Sequence, residues 1–312
     1  LTALVGLRDA DESAARRFFA TVGPEDLVAA LHATADDVLL ALVGRDEVRT
    51  AAVEGIVERL HEYAVPERLA GLHGVVRFDL VRGRQVLERH GLEFVNGAMT
   101  PRPHLGADLP VDVVMTTSLV RFLRLVSGEA NAGLLYLAGH LDIEGDADLA
   151  LGIGGIFRVP GTGRVAVDPR LLDPVDVATA LGSVPAAHLR SVMRSGFRHV
   201  VLDEIFRRLP EFVNERKARG VDLTIGFRLL GNPSGEIERY VVRVHEGVAT
   251  VETGDAGGER DATITCEGHD YLRLATGHLN PVLGVLKGRL KVKGDKAKAL
   301  QLSSIIDIPH AP

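Results

Sequence analysis

DATITCEGHDYLRLATGHLNPVLGVLKGRLKVKGDKAKALQLSSIIDIP, residues 261–309, has a sister 149 positions upstream. That sister is DVVMTTSLVRFLRLVSGEANAGLLYLAGHLDIEGDADLALGIGGIFRVP, residues 112–160. The two align without a gap and share 17 of 49 positions, among them Asp112/Asp261, Arg124/Arg273, Asn131/Asn280, Gly145/Gly294 and Pro160/Pro309. The same shift pairs IVERLHEY (56–63) with IFRRLPEF (205–212), and a shift of 150 pairs PEDLVAAL (24–31) with PVDVATAL (174–181). Self-similarity on this scale marks a duplicated domain. The expected organisation is a helical lead-in (1–23), a first repeat (24–160), a linker GTGRVAVDPRLLD (161–173) and a second repeat (174–312). Between the aligned blocks the second copy is longer by the seven residues GNPSGEI (231–237), which the first recovers in PRPHLGA (101–107). Such length changes are what surface loops tolerate.

In the second copy Leu202, Ile205, Phe206, Leu209, Phe212 and Val213 recur at helical spacing. Ile225, Phe227 and Leu229 alternate with Gly226 and Arg228, which predicts a half-buried strand. Segments 239–244 and 248–253 flank His245-Glu246-Gly247 as a hairpin, and 262–266 alternates again. Helices are predicted over 269–275 and 280–286, a fifth strand over 289–293, and a last helix over 296–306. The order predicts four meandering strands, two helices, a strand and a helix. Extra leading helices fill 24–51 and 174–200. The fold class is α+β: two tandem domains, each a five-stranded, mostly antiparallel sheet with helices on one face.

Composition narrows the function. At 46% hydrophobic and 25% charged, the 312 residues read as a soluble globular chain. No apolar run approaches the ~18–20 residues of a membrane span. The first residues turn acidic by Asp9, so no secretory signal is expected. Cys266 has no second cysteine to pair with, and a reducing cytoplasm is the expected compartment. The net charge of −6 excludes a general nucleic-acid binder. There is no GxSxG, HExxH, CxxC or P-loop. The twelve histidines fall singly, with no metal-ligand cluster in the sequence, so no cofactor, metal or catalytic residue is expected. His61 is expected at a helix boundary, and His104 in a loop unique to the first copy, where acquired catalysis would be sought. Cys266, replaced by Thr117 in the first copy, is expected to act as a small buried hydrophobe.

The run LNPVLGVLKGRLKVKGDKAKALQLSSI (279–305) resembles the C-terminal signature of the sterol carrier protein 2 family, and DATITCEGHDYLRLATG (261–277) its preceding strand and helix. The leading helices are similar to those of bacterial two-copy members. The resemblance implies an apolar tunnel for a sterol, fatty acid or acyl-CoA between sheet and helices. The lining residues it implies are Phe206, Leu209, Phe227, Ile264, Tyr271, Leu272, Leu283, Leu286, Leu302, Ile305 and Ile306. The periodicity itself is equally that of a filled core. Family relatives often end in a peroxisomal tripeptide, which His310-Ala311-Pro312 is not.

The two copies differ where function would show. LALGIGGIF (149–157) stands where the second copy has KALQLSSII (298–306), and each helical glycine costs about 1 kcal/mol relative to Ala. That helix is frayed, broken or packed too closely for side chains, which makes copy one a structural half, or its glycines widen a tunnel mouth. Lys287, Arg289, Lys291, Lys293, Lys296 and Lys298 in copy two replace Ala138, His140, Asp142, Glu144, Ala147 and Leu149. Five of the six lysines lie in this stretch. It is a solvated face, a dock for an anionic membrane or an acyl-CoA phosphate, or a contact with strand 140–144 of a second copy in a homodimer. The expected function is an intracellular lipid carrier working chiefly through the C-terminal repeat. The alternative is an enzyme or enzyme accessory enclosing a lipid, terpenoid or polyketide substrate; a third is a filled duplicate that mediates assembly.

Overall fold

The computed structural model describes residues 4, 6–161, 172–255 and 257–309. Contacts divide the chain into two compact units, Leu1–Leu171 and Leu172–Pro312. Most of the expected linker (162–171) and the chain end 310–312 lie outside the described residues.

Among the described residues the N-terminal unit has four leading helices from Glu12 on, α1 (Glu12–Thr21), α2 (Pro24–His32), α3 (Asp36–Val43) and α4 (Asp46–Arg59). Each carries one or two acids in its first turn, at the positive end of the helix dipole. After the one-turn α5 (Pro66–Leu69) come β1 (Gly74–Arg82), β2 (Gln85–Val95), β3 (Ala98–Arg102) and β4 (Val113–Ser118). Then follow α6 (Leu119–Val126), α7 (Ala132–Leu137), β5 (Leu141–Gly145) and α8 (Ala147–Gly154).

The C-terminal unit repeats this series. Three leading helices, α9 (Pro174–Gly182), α10 (Ala186–Val192) and α11 (Arg198–Arg208), are followed by the short α12 (Glu215–Ala218). The strands are β6 (Leu223–Leu230), β7 (Glu238–His245), β8 (Val248–Thr253) and β9 (Ala262–Glu267). The chain closes with α13 (Gly268–Ala275), α14 (Pro281–Leu286), β10 (Lys291–Gly294) and α15 (Lys296–Ile305).

Both units build a five-stranded sheet of one topology, β3-β2-β1-β4-β5 and β10-β9-β6-β7-β8. The expected four-strand meander is therefore corrected. Only the first three strands meander; the fourth crosses over to pair in parallel with the first, β4 with β1 and β9 with β6. An aspartate shared by the repeats pins this crossover. The Asp112 carboxylate accepts from the Val75 amide, and that of Asp261 from the Thr224 amide, both at 2.7 Å. Strand periodicity reports which faces are buried but not which strands are neighbours.

The loop lengths are also corrected. In the hairpin registers Leu80 faces Glu88 and Leu229 faces Glu238, so the copies differ by one residue here rather than seven. Residues 81–87 of the first copy extend its hairpin past a bulge, where 231–237 of the second form an open loop. Shared caps close both repeats: Asn131 and Asn280 start α7 and α14, and Asp146 and Asp295 start α8 and α15. The glycine-rich α8 is a continuous helix. A Cβ at Gly152 would sit 2.5 Å from Leu72 Cδ2, the tip of a half-buried side chain that would have to move aside.

Candidate functional site

In the C-terminal unit the helices cover the sheet face that carries Ile225, Phe227, Leu229, Tyr240, Ile264 and Cys266, all buried. At its centre Phe206, from α11, is sandwiched between two tyrosines. Its ring stacks on Tyr240 of β7 at 3.8 Å between centroids and on Tyr271 of α13 at 4.6 Å, nearly parallel to both. Phe227 of β6 meets Phe206 and Tyr271 edge-on at 5.4 and 5.5 Å. The Tyr240 hydroxyl donates to Asp203 at 2.8 Å. Burial and this acidic acceptor push the Tyr240 pKa well above its ordinary value, so the ring is neutral.

Eight of the eleven lining candidates are buried here: Phe206, Leu209, Phe227, Ile264, Tyr271, Leu272, Leu302 and Ile305. Ile306 is half-buried. Leu283 and Leu286 lie elsewhere, on the outer side of α14, 49% and 76% exposed. Helical spacing alone does not say which apolar stripe a six-residue helix turns inward. Tyr240 was missed among the candidates, although its place in the 239–244 alternation puts it on the inner face. Cys266 is buried as expected, and burial pushes its thiol up to about 12.

The exposed apolar side chains run into the basic stretch. Val282, Leu283 and Leu286 precede Lys287, and Lys291 and Lys293 alternate with half-buried Val292 along edge strand β10. Lys287, Lys291, Lys293 and Lys296 are exposed and have no acidic partner among the described residues. Two members of the set are partly engaged: Arg289 lies 3.7 Å from Asp270, and Lys298 bonds Asp261 at 2.8 Å. In the first copy Leu137 stands at the position of Leu286 and is only 6% exposed.

The N-terminal unit fills the same positions differently. Register pairs Phe78 with His90 where the second copy pairs Phe227 with Tyr240, and Val57 replaces Phe206. Glu54 stands where the second copy has Asp203, and the pair Arg49–Glu88 where it has Arg198–Glu238. Two of the histidines, single positions in the sequence, converge with a glutamate in space. One ligand atom each from Glu88, His90 and His104 lies within 4.8 Å of the others. Glu88 and His90 are two apart on one strand and so share a face; His104 reaches them from the loop after β3, which no spacing rule connects to them. Burial raises the Glu88 pKa, but hydrogen bonds from His90, Arg49 and Thr50 outweigh it and hold the carboxyl at about 2. His61, by contrast, is exposed, and its ring bonds the Glu58 carbonyl at 2.7 Å. A separate apolar depression of about 150 Å³ lies between α3, the end of β1 and α6, lined by Leu40, Val43, Val81, Leu119 and Val120. That is below the ~300 Å³ at which small-molecule sites begin.

A model of the SCP-2 sterol transfer family matches the chain twice, at residues 54–158 and 202–307, once in each unit. The chain belongs to the SCP-2 sterol transfer family. Sterol carrier protein 2 of Gallus gallus is 29% identical over 128 residues, covering 41% of this chain and 23% of that protein. Hydroxysteroid dehydrogenase-like protein 2 of Xenopus tropicalis is 28% identical over 105 residues, 34% of this chain and 24% of that protein. The chain thus spans about a quarter of the length of these relatives. Among solved structures, sterol carrier protein 2-like 2 of Aedes aegypti is similar at 21% identity, covering 35% of this chain and 95% of that one, with a TM-score of 0.29. The sec-alkylsulfatase Pisa1 from Pseudomonas sp. shares 19% identity over 42% of this chain and 20% of that one, with a TM-score of 0.31. Family membership supports lipid or sterol binding as the class of activity. No helix among the described residues is long and apolar enough to cross a membrane.

Proposed function

We propose that the protein carries ligands of the sterol or fatty-acyl class and exchanges them at an anionic lipid surface through its C-terminal domain. The observation that carries this is the continuity of exposed Val282, Leu283 and Leu286 with Lys287, Lys291, Lys293 and Lys296. An apolar tip beside free cations suits a lipid interface, where hydrocarbon enters the acyl boundary and lysines meet phosphates. Each such lysine contributes about 1 kcal/mol near an anionic surface. The same cations suit the phosphates of an acyl-CoA.

Affinity for the cargo comes from burying hydrocarbon, at about 0.8 kcal/mol per methylene. A ligand tail cannot pass between rings stacked as closely as Phe206, Tyr240 and Tyr271. It is accommodated beside them, where Leu302, Ile305 and Ile306 of the last helix meet the sheet. A carrier of this kind needs few polar contacts, which fits an inner face of apolar side chains around the Tyr240–Asp203 pair. We assign it to the cytoplasm on its single, buried cysteine.

Vesicle flotation tests the docking step. The chain is expected to float with phosphatidylserine vesicles and not with phosphatidylcholine vesicles. Charge reversal at Lys291 and Lys293 removes two attractions and weakens binding about 30-fold or more. Equal flotation on both vesicles, or an unaffected double variant, overturns the proposal.

A further inference from the structure

The N-terminal domain holds a second constellation, unrelated to hydrocarbon. We propose that Glu88, His90 and His104 form a binding site for a divalent transition-metal ion of the zinc class. Their ligand atoms lie within 4.8 Å of one another, and Glu88 Oε2 stands 3.1 Å from His90 Nε2. Ligands about 2.0–2.1 Å from a tetrahedral zinc ion are about 3.3 Å apart, so one edge of such a site is already in place. Two imidazoles and a carboxylate are a donor set for zinc, cobalt or nickel, rather than for calcium or magnesium.

Second, His90 is wholly buried and its Nδ1 has no hydrogen-bond partner among the described residues. Nε2 is therefore the nitrogen that faces Glu88 and the cluster, while Nδ1 lies on the opposite side of the ring. His104 is 62% exposed, which leaves the cluster an entry path.

Third, the donors are oriented from behind, as metal ligands are. Arg49 Nε and the Thr50 hydroxyl both bond Glu88 Oε1, at 2.8 and 2.9 Å, leaving Oε2 toward His90. Glu54 pairs with Nε2 of His104 and is itself held by Arg16, so Nδ1 of His104 carries no protein hydrogen bond among the described residues. Three protein ligands leave a fourth position for water.

The duplicated domain supplies the control. In the second copy Glu238 keeps its arginine, and the ring at the position of His90 is Tyr240, which bonds Asp203 rather than the strand glutamate. The fold therefore needs the arginine–carboxylate pair and an acid-bound ring at these positions. It does not need imidazole. The two histidines are specific to the first copy, and their convergence is not a requirement of the architecture.

The test is zinc titration of the untagged full chain, stripped with chelator, by competition against a chromophoric chelator, with Co²⁺ absorption as a second readout. One Zn²⁺ per chain is expected. His104→Ala removes one of the three donors and should weaken that binding about 100-fold or more. His90→Tyr, which installs the second copy's residue, should abolish it while keeping a wild-type melting temperature in chelator. Absence of a one-to-one site, or variants that bind zinc as the parent does, overturns the proposal.

Discussion

Arg198 grips Glu238 with two arms, Nε to Oε1 and Nη2 to Oε2, each 2.8 Å long, and so ties the first turn of α11 to the first residue of β7. Its remaining donors reach the carbonyls of Met193 and Leu230 at 2.9 Å. The corresponding Arg49 and Glu88 join α4 to β2 in the other unit. In each domain one buried guanidinium fixes a leading helix over the sheet and sets where its inner-face side chains stand.

Removing the acid leaves Arg198 buried without its counter-ion. Glu238→Ala should lose about 3 kcal/mol in urea unfolding near neutral pH. The dependence on pH has a definite sign. Burial alone would raise the Glu238 pKa, but the Arg198 bonds outweigh it and hold the carboxyl below its ordinary 4.5. The stabilisation is therefore complete above that value and is lost as pH falls through the depressed one. The gap between the parent and Glu238→Gln should narrow below about pH 4.

Phe206 supplies both faces of the ring stack, and its loss leaves a hole that Tyr240 and Tyr271 cannot close without moving. Phe206→Ala should cost about 3–5 kcal/mol. Val57, its smaller counterpart in the first copy, should cost less on truncation to Ala. Paired thermal melts of the two variants check the ordering.

Cys266 should be chemically silent in the native protein. A thiol pushed up to about 12 by burial is almost wholly protonated near neutral pH, and the thiolate is the reactive form. Ellman's reagent should detect no thiol in buffer and one per chain in guanidinium chloride.

Gly294 ends β10 with φ +96°, and any Cβ there would run into the backbone carbonyl of Asp261. Gly145 does the same against Asp112. Gly294→Ala should destabilise by about 2 kcal/mol, whereas Ala at Gly235, which has open space around it, should cost less. Urea midpoints of the two variants decide.

Much of this fold is legible in the sequence, because the elements obey local rules that the duplication states twice. Asn280-Pro281 and Gly294-Asp295 mark helix starts by their own chemistry, and the alternation of Ala262, Ile264 and Cys266 marks a strand. What stays hidden depends on partners far along the chain. The parallel pairing of β9 with β6 rests on Asp261 meeting Thr224, and no periodicity records it. Leu286 and Leu302 look alike in the sequence, yet one is exposed and the other buried. Lys298 reads as one more cation of the basic stretch until Asp261 is seen beside it. The cluster of Glu88, His90 and His104 joins a strand to a loop and is visible only in three dimensions.

Enclosure of a lipid by this chain is tested by native mass spectrometry of freshly purified protein, with organic extraction of any bound mass. A lipid-sized adduct is expected, either as purified or on incubation with fatty acids, acyl-CoAs or sterols, and Phe206→Ala should alter it. A chain that stays at its bare mass after all three incubations contradicts it.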